Sequence, residues 1–273
     1  MLSVLKYDLY KMVHSRRVYV VFFMAAILEI SMNGASNSWF TGNFVYWFDD
    51  GFWGVCYSGF SVFYIPLFLA VFVGLDFSSR AINNVYSNVN KFYYVLSKVI
   101  CAFIFLLTVH LARFVVVLIF CLANNKGKAI DTSAYGHMVS LGIEMGLSGS
   151  QVKTYYIIAV LKDLLYYLLN QITFISFLTI FAFLIKRGAV FYIGYLIYFV
   201  AVRQRVYDFI SAKLGEIMLY YIPTTFVCPS NVQPRTFMCS GVQVYQWLQC
   251  IMCIVVIAAS LIASWQIFKR RRV

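Results

Sequence analysis

Six apolar runs, at 18–36, 52–75, 99–123, 164–185, 188–202 and 244–268, constrain this chain more than any other feature. A helix needs about 20 apolar residues to cross the hydrocarbon of a bilayer. Lipid offers no partner for backbone polar groups, so a spanning chain must be helical or a closed barrel. Hydrophobic residues make up 62% of the 273 positions and charged residues 12%, where a soluble domain runs near one half and one quarter. No soluble core of this size hides that much apolar surface. The runs predict an all-α membrane protein with six transmembrane helices in a single transmembrane domain over 1–273. The fifth run, only 15 residues long, predicts a shallow or dipping span.

A formal charge of +12 invites a nucleic-acid reading until the charges are placed. With the N-terminus inside, segments 1–17, 76–98, 186–187 and 269–273 hold thirteen Lys or Arg against only Asp8 and Asp76. The opposite side carries eight basic and seven acidic residues. Lys and Arg are retained on the cytoplasmic face during insertion, so both termini are expected in the cytoplasm of a multi-pass protein of the plasma membrane. The partner implied by the charge is the lipid bilayer, and no nucleic acid is needed. Seventeen polar-rich residues precede the first apolar run without a prompt small-residue cleavage site, so the first run reads as retained.

Residues 1–17 place Leu2, Leu5, Leu9, Met12 and Val13 on one face and Tyr7, Lys11 and His14 opposite, the pattern of an interfacial helix. Segment 124–154, rich in glycine, reads as an outer loop with short helical pieces. In the outer segment 203–243, Val206, Phe209, Ile210, Leu214, Ile217 and Met218 recur at helical spacing. They predict a re-entrant or surface helix ending near Pro223. Cys228 and Cys239 flank ten residues on that side and form a possible disulfide. Cys250 and Cys253 lie in an apolar run without a neighbouring His or carboxylate and read as packing residues.

Catalytic signatures are missing from the sequence. There is no G-x-x-x-x-G-K-[ST] loop to cradle phosphates, no H-E-x-x-H and no G-x-S-x-G. No metal ligand set and no cofactor of its own is expected, and the chain does not read as an enzyme.

The segment 76–98 carries the most specific pattern. Asp76-Phe77-Ser78-Ser79-Arg80-Ala81-Ile82-Asn83-Asn84 leaves the second run, Ser87-Asn88-Val89-Asn90-Lys91 follows, and Leu96-Ser97-Lys98 enters the third. This resembles the cytoplasmic loop of type-2 ABC exporter permeases, with an acidic–aromatic pair, an Ile-x-Asn stretch, a small-residue turn before a basic residue, and a Ser-Lys. The six runs, the interfacial helix and a Tyr-x-Pro before the last run extend the resemblance over the whole chain. Arg80 and Asn88 stand where family members often have Gly, and Lys91 where they have Arg. The resemblance implies a permease that pairs with a second permease, like or unlike, and docks ATP-binding cassette ATPase subunits, which hold ATP and magnesium. The docking element would be this coupling loop, through Phe77, Arg80, Ile82, Asn84, Val85 and Lys91, and the cargo an amphipathic molecule such as a peptide, including an antimicrobial peptide, a lipid or a drug. Independently of the family, Ile82, Val85 and Val89 recur at helical spacing in a loop with no membrane to enter, which suits a protein groove.

Glu29, His110 and Arg113 form an intramembrane polar cluster at comparable depth. A charge there is costly without a partner, and a fixed Glu29–Arg113 ion pair between two spans is the expected arrangement. The same three groups would serve a proton-coupled secondary carrier, although matching interrupted repeats are not visible. A non-transporting immunity or sensory component is a further alternative.

Overall fold

The computed structural model describes residues 2–33, 61–78, 89–125, 149–185, 187–214, 238–239, 242–243 and 246–270. Its helices are α1 (Leu2–His14), α2 (Arg16–Asn33), α3 (Ser61–Ser78), α4 (Lys91–Asn125), α5 (Gly149–Leu184), α6 (Gly188–Ile197), α7 (Arg203–Leu214) and α8 (Gln246–Arg270). A π-helical turn, Tyr198–Val202, joins α6 to α7. Two-residue strands, β1 (Met238–Cys239) and β2 (Val242–Gln243), pair antiparallel, with Met238 opposite Gln243.

Local chemistry sets several boundaries. Ser15 separates the first two helices, and its carbonyl accepts the N–H groups of Val18 and Tyr19 at 3.0 and 3.2 Å. Asn90 caps α4, its side-chain oxygen accepting the N–H of Phe92 at 3.0 Å. Helix α4 therefore starts eight residues before the apolar run at 99–123. A corresponding extension carries α5 back to Gly149, into the segment expected to be a loop.

Four described helical stretches are long and apolar enough to cross a membrane: Lys91–Val116, Leu164–Leu184, Gly188–Lys213 and Trp247–Arg270. Helix α3 is apolar but shorter over Ser61–Phe77, and α2 carries Arg16, Arg17 and Glu29 within its 18 residues. The third stretch corrects an expectation. The apolar pattern predicts a short fifth span followed by a separate re-entrant or surface helix, but the helix continues through the π turn into Arg203–Leu214. No Gly or Pro lies between Gly194 and Leu214 to stop it, and Gln204 bonds Asp208 one turn on at 3.0 Å.

The core is gathered around α4. Its inward stripe of Val95, Val99, Ala102, Phe105, Leu106 and Val109 meets Val18, Val21 and Ala25 of α2 and Ile65, Phe68 and Phe72 of α3. The Phe68 ring stacks on Phe105 at 4.2 Å. Helix α8 lies along α5 and also touches α4. Large apolar side chains cover the outside: Phe23 and Ile27 on α2, Ile193 on α6, Val200 in the π turn, Ile254 and Val255 on α8. Such an exterior, with long apolar helices inside it, fits a membrane protein.

Lipid is as apolar as a leucine side chain, so helices in a membrane associate through close packing and polar contacts. The α3–α6 crossing is the tightest example. A Cβ on Gly188 would lie 2.1 Å from the Ala70 carbonyl oxygen, while one on Gly74 would meet Gly188 at an ordinary 3.5 Å. Gly188→Ala is therefore predicted to push α6 off α3, at a cost of about 1–3 kcal/mol or more, and to lower the unfolding temperature in detergent. Gly74→Ala should be nearly silent. Equal melting of the two variants would contradict this crossing.

Candidate functional site: two buried ionic layers and an aromatic cleft

Asp8 lies three residues after Leu5 and four before Met12, within the apolar stripe of α1. The helix turns that stripe inward. Val4, Leu5, Leu9 and Met12 pack on the core, and Asp8 is fully buried with them. Lys11 goes with it, a correction to the expected interfacial helix: the spacing put Lys11 on the outer face, but its side chain points into the bundle. There it bonds Asp76 near the end of α3 and donates to the Phe72 carbonyl at 3.1 Å.

Lys98 of α4 completes the layer. Its ammonium lies 2.6 Å from Asp8 Oδ1 and 2.5 Å from Asp76 Oδ2, with no exposure to solvent. Ser97 Oγ donates to the second Asp8 oxygen at 2.5 Å, and the Tyr94 hydroxyl donates to Asp76 at 2.6 Å. The Phe72 ring faces both ammonium groups, its centroid 4.9 Å from Lys11 and 4.4 Å from Lys98, and Tyr94 lies 4.7 Å from Lys98. These rings add cation–π attraction and exclude water. Tyr94 stacks in turn on Phe268 of α8 at 4.9 Å. Burial holds the Lys11 pKa below the ordinary lysine value, helped by the Lys98 charge, while Asp76 and Asp8 act in the opposite sense. Two lysines and two aspartates thus form a neutral quartet that joins α1, α3 and α4.

Arg113 lies fifteen residues beyond Lys98 along α4, roughly 22 Å further at 1.5 Å per residue. Its Nη1 is 3.5 Å from Glu29 Oε2 of α2, and the Tyr64 hydroxyl of α3 donates to Glu29 Oε1 at 3.0 Å. His110 Nε2 meets the Tyr167 hydroxyl of α5 at 2.8 Å, and the Cys253 thiol of α8 reaches Asn170 Oδ1 of α5 at 3.5 Å. All of these groups are buried. The second layer therefore links α4 to α2 through charge, α2 to α3 through the Tyr64 hydroxyl, α4 to α5 through His110, and α5 to α8 through Cys253.

A third feature is a cleft of about 360 Å³ between α5 and α6, walled by Phe174, Phe177, Phe181, Tyr195, Tyr198 and Phe199. That volume is within the ordinary range for small-molecule sites.

Glu29, Arg113 and His110, chosen from the sequence, thus lie in one layer, the first two in contact. Phe77 is the penultimate residue of α3, half-buried against the core, its ring edge-on to Phe183 at 6.4 Å. Lys91 opens α4 and is half-buried. Arg80, Ile82, Asn84, Val85 and Cys228 lie outside the described residues; Cys239 is in β1. The quartet was missed. The charge pattern assigns Lys98 and Asp76 only to a segment expected on the cytoplasmic side, and the one sign of burial is the position of Asp8 within an apolar stripe. No protein family, curated protein or solved structure matches the chain.

A buried pair broken on one side costs about 3–5 kcal/mol, whereas removing both partners is far milder. Lys98→Met leaves two buried carboxylates with one cation and should destabilise the detergent-solubilised protein by roughly that amount. Adding Asp8→Leu should restore much of the loss. A double variant no more stable than Lys98→Met alone would contradict the quartet as an ionic unit.

Proposed function

We propose that the chain is the permease subunit of an ATP-binding cassette exporter, moving an amphipathic substrate with ATP hydrolysed by a separate subunit. The observation that carries this reading is the Asp76–Lys98 ion pair at 2.5 Å. These residues flank the proposed coupling loop, so any force received by that loop reaches α3 and α4 together, and α1 through Asp8 and Lys11. A solvated connector requires no such tie. A motor that acts through a loop needs its ends fixed to the elements it moves.

Six spans are supplied by α2, α3, α4, α5, the continuous α6–α7 unit and α8, with α1 at the cytoplasmic surface and both termini inside, in the plasma membrane. A second permease completes the pathway, and the ATPase partners hold ATP and magnesium. The proton-carrier alternative would use Glu29, His110 and Arg113. Their observed partners, Tyr64, Tyr167 and each other, favour a clamp between helices over a relay.

Apolar anchors dominate interface energy and rim charges contribute little. When the protein is affinity-purified from its native membranes in mild detergent, ATPase activity should co-purify with the wild type and with Lys91→Ala, and be lost with Ile82→Asp. If no ATPase activity accompanies the wild type, or Ile82→Asp retains it, the exporter reading fails.

A further inference from the structure

Phe199, in the wall of the aromatic cleft between α5 and α6, carries a cation against its ring. Arg203 follows the π turn, and its N–H closes the wide turn onto the Tyr198 carbonyl. The guanidinium carbon lies 4.1 Å from the Phe199 ring centroid, so the charge stands at the end of the aromatic wall. Its Nε and Nη1 are buried and have no hydrogen bond among the described residues. The nearest acid in sequence, Asp208, is engaged by Gln204. Buried donors without acceptors are costly, and π turns recur at functional sites. Both observations point to an anion at this end of the cleft.

The dimensions specify what should be attached to that anion. From Phe191, at the far end of the cleft, to Arg203 is twelve residues, about 18 Å of helix. One leaflet of hydrocarbon is about 15 Å deep, half the thickness of the core. Gly194 lines the cleft, and a Cβ there would meet nothing within 4 Å, so the cavity is open at that point. Neighbouring Ile193, Ile197 and Val200 are exposed, as they would be on a helix bathed in lipid.

We propose that this cleft holds one acyl chain of an anionic phospholipid, with the lipid phosphate on the Arg203 guanidinium. The planar fork of Arg presents paired donors to phosphate oxygens, and the aromatic wall surrounds the chain below it. The site needs nothing from the proposed ATPase partner, so it stands or falls independently of the exporter reading.

The test uses the full-length protein in detergent, with bound lipid counted by native mass spectrometry after exposure to phosphatidylglycerol, phosphatidylcholine of the same acyl chains, or oleate. Both lipids offer the same phosphate oxygens, but the choline of phosphatidylcholine brings a second positive charge beside Arg203, so wild type should retain one phosphatidylglycerol per chain, about tenfold above phosphatidylcholine. Arg203→Gln should reduce that preference to parity. Gly194→Trp, which fills the cleft without a backbone clash, should abolish retention of both phospholipids at an unchanged melting temperature. Three results would overturn the proposal: equal retention of the two phospholipids by wild type, an Arg203→Gln variant that keeps the preference, or oleate retained in place of phosphatidylglycerol. If Gly194→Trp does not fold, the Arg203→Gln comparison decides alone.

Discussion

Two carboxylates and the Lys98 ammonium are buried beside a second, half-buried ammonium, that of Lys11, and much of the architecture at this end of the bundle follows from that. Each charge alone would be strongly disfavoured there. Together they are neutral, and Tyr94, Ser97 and the Phe72 carbonyl satisfy further polar atoms. The quartet holds only while α1, α3 and α4 keep their relative positions, because Asp8, Asp76 and Lys98 come from three different helices. A buried ionic group of this kind contributes little net stability against an apolar replacement but penalises every displaced arrangement. Its effect is therefore on geometry: α1 is not an amphipathic helix adrift on the surface but a brace fixed to α3 and α4.

Helix α4 carries the second ionic layer on the same inward stripe. Lys98 and Arg113 are separated by a length approaching the hydrocarbon thickness, and each finds acids on neighbouring helices. Apolar packing between them, from Val99 to Val109, provides contact without orientation, since any of several rotations would bury similar side chains. The charged ends remove that freedom. The α3–α6 crossing adds a steric constraint, because only glycine at 188 allows α6 to approach the Ala70 carbonyl.

Helix placement was legible because lipid forces a strong compositional signal: each apolar run overlaps one of α2, α3, α4, α5, α6 and α8. Boundaries were less so. The Asn90 cap and the unbroken stretch after Gly194 are local cues that hydropathy does not register. The Glu29–Arg113 contact could be anticipated because both charges stand out within apolar runs. Lys98 could not, since a lysine at the end of a span has the same appearance whether it retains the loop in the cytoplasm or is buried beside two aspartates. Its partner Asp8 is ninety residues away, and only the apolar neighbours of Asp8 hinted that it faces inward. The cleft was equally hidden, because phenylalanines and tyrosines at helical spacing occur in any packed span.

The central claim is that ionic contacts hold α1 rigidly against α4. It is tested most directly by a distance distribution between spin labels at the exposed positions Tyr10 and Tyr93, measured by pulsed electron spin resonance in lipid nanodiscs. The account predicts a single narrow distribution in an otherwise wild-type chain and a broad one when Asp8 is replaced by leucine. A broad distribution with Asp8 intact would contradict it.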